Sequence, residues 1–149
     1  MDCTHLHMTT LPDGPWTVAS GDNEGKTIFV RLNTGASAVS KQSALRHRIG
    51  IAVLLRAPDA SGLPTPDESA TLSHIEEAVE AALRVGHESI LVVVVTTGGM
   101  REFLLYSAAP QKAEAAIATV QAQFPSYQIQ FYVQPDAEWD AYASFADAL

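Results

Sequence analysis

An α+β sandwich built on an antiparallel sheet is the fold class this sequence predicts, and three observations carry it. The first is the stretch from Ile90 to Ser107, ILVVVVTTGGMREFLLYS. Its run of aliphatic residues, β-branched except for Leu91, is apolar on both alternating faces and reads as a central strand covered on both sides. Gly98-Gly99 then supplies two positive-φ positions for a tight turn into a return strand. The second observation is a pair of helical patterns, one opening at Thr65-Pro66-Asp67-Glu68 and one near Pro110. The third is Tyr127 to Gln134, YQIQFYVQ, which alternates at a period of two. From residue 47 the order is strand, helix, strand, strand, helix, strand, the split βαβ of a ferredoxin-like sandwich. Two helices would lie on one face of its sheet.

Each element has its own justification. Met1 to Pro15 shows no periodicity and reads as a flexible leader, leaving 16–149 as a single α+β domain. Trp16–Ser20 and Lys26–Asn33 form an N-terminal hairpin that extends the sheet, joined by Gly21-Asp22-Asn23-Glu24-Gly25. Residues 34–46 read as a loop, and His47–Arg56 as a mostly apolar central strand. Thr65 to Glu68 has the form of a capping box with Pro at the first helical position. The helix it starts runs to Val85, stops at Gly86, and buries Leu72, Ile75, Val79, Ala82 and Leu83. In the hairpin, Arg101, Phe103 and Leu105 face one way and Glu102, Leu104 and Tyr106 the other. The second helix ends before Pro125 and buries Ala113, Ala116, Ile117, Val120 and Phe124. In the last strand Tyr127, Ile129, Phe131 and Val133 face the core, with Gln128, Gln130, Tyr132 and Gln134 turned away. Asp136 caps a short C-terminal helix whose Trp139, Tyr142 and Phe145 share one side, which must dock on the sheet or on a neighbouring subunit.

Composition narrows the function classes. The chain has 149 residues, 47% hydrophobic and 17% charged, globular values sufficient for one sizeable core. One cysteine, Cys3, excludes an intrachain disulfide framework. The N-terminus lacks the basic and apolar regions of a signal peptide, and no apolar run is long enough to span a membrane, so a cytoplasmic location is expected. The net charge of −8 is uneven: residues 57–89 carry −6 and 109–149 carry −4, while 1–56 carry +2. Acidic helices repel nucleic acid and anionic membrane and attract basic protein surfaces, although solubility alone is the commoner reason for such a surface.

Few residues suggest chemistry. His5-x-His7 with Cys3 and Met8 has soft ligands but no evident fourth ligand, so no metal or other cofactor is expected. His47, His74 and His87 have no nucleophile beside them in sequence. Glu76 sits at the border of the first helix's apolar stripe, where a carboxylate seeks a cation; Arg56 and Arg101 are the candidates. An ion pair fixing helix to sheet is the favoured reading, and a ligand-binding or acid/base role the other. Gly62-Leu63-Pro64 either aims the helix or helps its N-terminus to hold an anion.

Trp16, Arg56, Gly62-Leu63-Pro64, Ile75-Glu76, Gly99-x-Arg101-x-Phe103, Tyr106 and Asp136-x-x-Trp139-x-x-Tyr142 form a pattern. It resembles the bacterial domain-of-unknown-function family 695, over about residues 14–148. That resemblance carries no established activity. Members of that family resemble, and are sometimes joined to, domains similar to the regulator B of ribonuclease E, which implies a regulatory or protein-binding role by association. Two classes of function stay open. One is a non-catalytic binding or regulatory module working through protein contacts, on a basic partner such as a nuclease or on a second copy as a homodimer. The other is a small-molecule site or enzyme in which Arg56, Arg101, Glu76 and Tyr106 hold an acidic ligand beside Gly62, Leu63 and Pro64. In the first class Asp136, Trp139 and Tyr142 serve structure or interaction.

Overall fold

The computed structural model describes residues 5–10, 16–38, 44–83 and 88–148. Among them lie seven strands and three α-helices: β1 (His5–Thr10), β2 (Trp16–Asn23), β3 (Lys26–Asn33), β4 (His47–Leu54), α1 (Pro66–Leu83), β5 (Ser89–Thr97), β6 (Met100–Ser107), α2 (Pro110–Gln123), β7 (Ile129–Pro135) and α3 (Asp140–Asp147). A short 3-10 helix, Thr34–Ala38, follows β3. One sheet holds all seven strands in the order β1-β2-β3-β5-β6-β4-β7, with every neighbouring pair antiparallel. The α+β class and the N-terminal extension of the sheet are as expected from the sequence. His5–Thr10, placed by the sequence in a leader, pairs with β2 at the sheet edge; the rest of 1–15 lies outside the described residues.

Local chemistry sets the turns. Gly98 and Gly99 take φ of +58° and +79°, the positive values a two-residue hairpin requires. The first hairpin turns on Glu24 and Gly25, at +55° and +82°. Its strands therefore run through Gly21, Asp22 and Asn23, and the link is two residues rather than five. Thr65 Oγ1 accepts the Glu68 N–H at 3.3 Å and starts α1. The box is only half formed, because the Glu68 carboxylate is drawn elsewhere.

Each face of the sheet has its own core. On one, α1 and α2 lie side by side and bury Leu72, Ile75, Val79, Ile117 and Val120 against Ile49, Ile51, Val53, Phe103 and Leu105. On the other, α3 and the 3-10 helix cover Val30, Leu32, Val92, Val93, Leu104 and Tyr106. The run Ile90–Val95 is apolar on both sides for this reason. A register shift between Leu91 and Val93 leaves Val92 as a bulge, so Leu91 and Val94 face the helix pair while Val92 and Val93 face α3.

The C-terminal helix docks on its own sheet. Trp139, 2% exposed, stacks on Tyr106 with ring centroids 4.0 Å apart and planes 8° from parallel, and its Nε1–H donates to Leu45 O at 2.8 Å. Asp136 caps the helix, accepting the N–H groups of Asp140 and Ala141 at 2.8 and 3.2 Å. It also accepts the Tyr106 hydroxyl at 2.7 Å. Burial opposes the Asp136 charge, but these donors and Arg48 outweigh it and hold the carboxyl below its ordinary range.

One expectation about β7 fails. Phe131 was expected in the core with Ile129 and Val133; Ile129 is buried, but Phe131 is 39% exposed. The strand is an outer one, and its alternation does not reveal where the covering helix ends.

Candidate functional site

The helix pair does not cover the whole sheet. Alternation along β3 sends Ile28, Val30 and Leu32 into the α3-side core. Phe29, Arg31 and Asn33 therefore lie on the opposite face, beside α1 rather than beneath it. Their neighbours across β2 are Ser20, Val18 and Trp16. The result is an open trough with β3 as floor and α1 as wall.

An ion pair crosses the middle of this trough. Arg31 Nη2 donates to Glu76 Oε1, and the guanidinium lies 5.6 Å from the centre of the Trp16 ring. Beyond the pair in one direction is a cavity of about 160 Å³ lined by Trp16, Asn33, Glu80, Leu83, Ser89, Ile90, Leu91 and Leu105. In the other direction a cavity of about 270 Å³ is lined by Phe29, Asp59, Leu63, Pro64, Ser69, Thr96 and Arg101.

Arg101 sets the electrostatics of the second cavity. Its Nε–H donates to Thr96 Oγ1 at 2.9 Å, which restrains the guanidinium plane of this cavity-lining side chain. Burial, and then the nearby positive charge of Arg31, disfavour its protonated form and lower its pKa, against the pull of Glu76. Arg31 takes the Glu76 carboxylate, and Arg101 feels that carboxylate only as a nearby charge. Beside them Phe29 presents a large apolar face, 41% exposed.

The residues singled out from the sequence divide into five groups. Glu76 and Arg101 both line the trough, but the partner of Glu76 is Arg31, not Arg56 or Arg101. Leu63 and Pro64 form the rim of the larger cavity. Gly62 has a packing role: at φ +79° its carbonyl accepts the Gly99 N–H at 2.8 Å, and an added Cβ would stand 3.0 Å from that nitrogen. Arg56 and Tyr106 are not part of the site. The Arg56 side chain is exposed, and its backbone N–H donates to Glu68 Oε2 at 2.6 Å. Tyr106 lies on the other face of the sheet, fully buried beneath Trp139. Its pKa is raised by burial and by its bond to Asp136. Alternation already places Tyr106 opposite Arg101, so the two never share a pocket. Asp136, Trp139 and Tyr142 are structural: the Tyr142 hydroxyl donates to Asn33 O at 2.8 Å, tying α3 to the end of β3.

Sequence reasoning missed Phe29, Arg31 and Thr96. The signal for the first two was present, since they alternate with Ile28, Val30 and Leu32. What was absent was the pairing of β3 with β5, which sets Phe29 opposite Thr96 and Arg31 opposite Val94.

Glu68, read from sequence as a capping residue, is 6% exposed. Its carboxylate accepts the N–H of Arg56, the N–H of Ala57 at 3.0 Å and the Tyr127 hydroxyl at 2.9 Å. Burial raises its pKa, but these three donors prevail and the net shift is downward. It anchors the segment that carries the rim of the trough. Among the described residues no group of three or more His, Cys, Asp or Glu side chains is placed to hold a metal, and no helix is long and apolar enough to cross a membrane. The side chains of Cys3, His5 and His7 lie outside the described residues.

Comparison with curated proteins and with solved structures found no match. A family model, that of a family of unknown function (DUF695), matches residues 14–146. The match takes in the trough, both cores and the C-terminal helix, and the chain belongs to that family.

Proposed function

We propose that this domain is a non-catalytic binding or regulatory module that takes an extended acidic segment of a protein partner in the trough between α1 and β3. The observation that carries this reading is that half-buried Arg101, its Nε–H held by Thr96, and the exposed ring of Phe29 line the same cavity. A guanidinium held in one plane receives a carboxylate through two parallel hydrogen bonds, and an aromatic surface beside it packs the apolar part of the same residue. Shape supports a chain over a compact ligand. The cavities hold about 160 and 270 Å³, below the usual range for sites that enclose a small molecule, and both are open and in line.

A basic partner has less support. Among the acids of residues 57–89, Asp59 accepts the backbone N–H groups of Ser61 and Leu63, Glu68 is buried, Glu76 pairs with Arg31, and Glu88 takes Lys112 at 3.2 Å. Glu68 and Glu76 thus turn their charge to contacts within the fold, which lessens what the helix offers to a basic surface. We also read the order β7-β4-β6-β5, with α1 and α2 on one face, as a ferredoxin-like core carrying β1–β3 as an added edge.

The test is an array of immobilised peptides of varied charge, probed with labelled protein. Retained peptides should be rich in Asp and Glu with a neighbouring apolar residue, and Arg101→Gln and Phe29→Ser should each lose them. Retention of basic peptides, or retention of acidic peptides by both variants, would sink the proposal.

A further inference from the structure

We infer that β7 is a dimer seam, on which a second copy of this chain adds its own β7 antiparallel about a two-fold axis at Phe131. The backbone shows which groups face outward. Leu54 N donates to Gln128 O at 3.1 Å and Asp136 N donates to Arg46 O at 2.8 Å, so Gln128 and Asp136 turn their polar groups towards β4. The β4–β7 register is continuous between them. In an antiparallel ladder this direction alternates by residue, so Gln130, Tyr132 and Gln134 also bond inward. The N–H and C=O groups of Ile129, Phe131 and Val133 therefore point out of the sheet, with the Ile129 carbonyl accepting Gln121 Nε2–H from α2 at 2.8 Å, and Pro135, which has no N–H, ends the row.

That row is complementary to itself. With the axis at Phe131, Phe131 meets its counterpart, and Ile129 of each copy meets Val133 of the other. All three outward residues then exchange bonds, about six in total, with the Ile129 carbonyl of each copy taking the Val133 N–H on its second lone pair or in place of Gln121 Nε2–H. The two Phe131 rings, each 39% exposed in the single chain, become cross-strand neighbours on the α2 side. Tyr132, 38% exposed, comes opposite Gln130 of the other copy on the far side.

Charge does not oppose a second copy at this edge. A chain with a net charge of −8 repels itself, yet residues 129–135 hold no ionisable group except the Tyr132 phenol. From Ile129 to Val133 the strand has no inward charge, edge lysine, bulge or proline; Pro135 bounds this row and Gln121 touches it only at the Ile129 carbonyl. The seam is smaller than a standard interface of about 1,600 Å², so the dimer should exchange with monomer as concentration changes.

Sedimentation velocity over a wide concentration range tests the inference on the intact chain. The wild type should move from the mass of one 15.9 kDa chain to twice that mass as concentration rises. Phe131→Pro removes an outward N–H that β4 does not use, so it should stay folded by circular dichroism and remain monomeric. Phe131→Lys sets two cations against each other at the axis and should be monomeric too, which keeps the test open if the proline variant unfolds. A wild type that is monomeric at every concentration overturns the inference. So does a dimer that survives in folded Phe131→Lys.

Discussion

Replacing Trp139 with Ala tests the C-terminal dock most directly. The indole is 2% exposed, stacked on Tyr106 and set at 71° to the Tyr142 ring 5.5 Å away. Burying about 200 Å² of aromatic surface at about 25 cal/mol per Å² contributes about 5 kcal/mol. Loss of the Nε1–H bond to Leu45 O leaves a buried carbonyl without its donor and adds about 1 kcal/mol. Partial collapse of the cavity returns some of this, so the expected loss is about 3–5 kcal/mol. A second variant isolates the backbone. Trp139 sits at φ 58° and ψ 42°, left-handed values that cost an L-residue about 1–2 kcal/mol and cost glycine almost nothing. Trp139→Gly should therefore be more stable than Trp139→Ala, a reversal of the usual order within structured segments. The assay is urea unfolding followed by far-UV circular dichroism, with Trp139→Phe as the milder replacement that retains stacking. A loss below about 1 kcal/mol for the alanine variant would refute burial of the indole, and an alanine variant more stable than glycine would refute the left-handed backbone.

Further outcomes are expected at other sites. Glu68→Gln should cost about 1.5–3 kcal/mol at neutral pH, because three donors lose their carboxylate. Glu68 and Asp136 both have lowered folded pKa values, so their stabilisation is present above the ordinary values of 4.5 and 3.8 and is lost as pH falls below them. Urea midpoints should drop through that acid range in the wild type and drop less in Glu68→Gln; equal acid sensitivity would count against the assignment. Tyr106→Phe removes the bond to Asp136 and the acceptor of the Tyr142 N–H at 3.2 Å, an expected loss of about 1–2 kcal/mol by the same assay. Gly62→Ala puts a Cβ against Gly99 N at positive φ and should lower the melting temperature measured by calorimetry, where an unchanged midpoint would remove the proposed packing of loop on hairpin.

Much of the fold was legible because its signals are local. Pro66, Gly98-Gly99 and Asp136 announce two helix starts and a turn within a few residues, and each is found in place. The alternation of Arg101 to Tyr106 gave the faces of β6 correctly. The unreadable parts depend on distant partners. An unbroken aliphatic run has no phase, so the bulge at Val92 leaves no mark in the sequence. Phe131 alternates with the core residues, but its exposure depends on β7 being an outer strand. The trough was half legible: Glu76 stood out as a carboxylate needing a cation, and Leu63 and Pro64 as a rim. Arg31 is 45 residues from Glu76, and only the β3–β5 pairing makes them neighbours.

That pairing also sets an order of events during folding. Residues 28–32 bond to 93–97, and the closure of such a long loop must precede any gain from the contact. On a ribosome the first three strands emerge long before β5 and cannot join the sheet until it is made. Their unpaired β3 edge is then exposed to other chains, and chaperone capture would matter most in that interval. In the finished protein the same seam is where separation is expected first: opening there would free β1–β3 from the α3-side core while β4–β7 keep the α1–α2 core. Native-state hydrogen exchange should resolve two cooperative blocks, with the amides of β2 opening at lower free energy than those of β4.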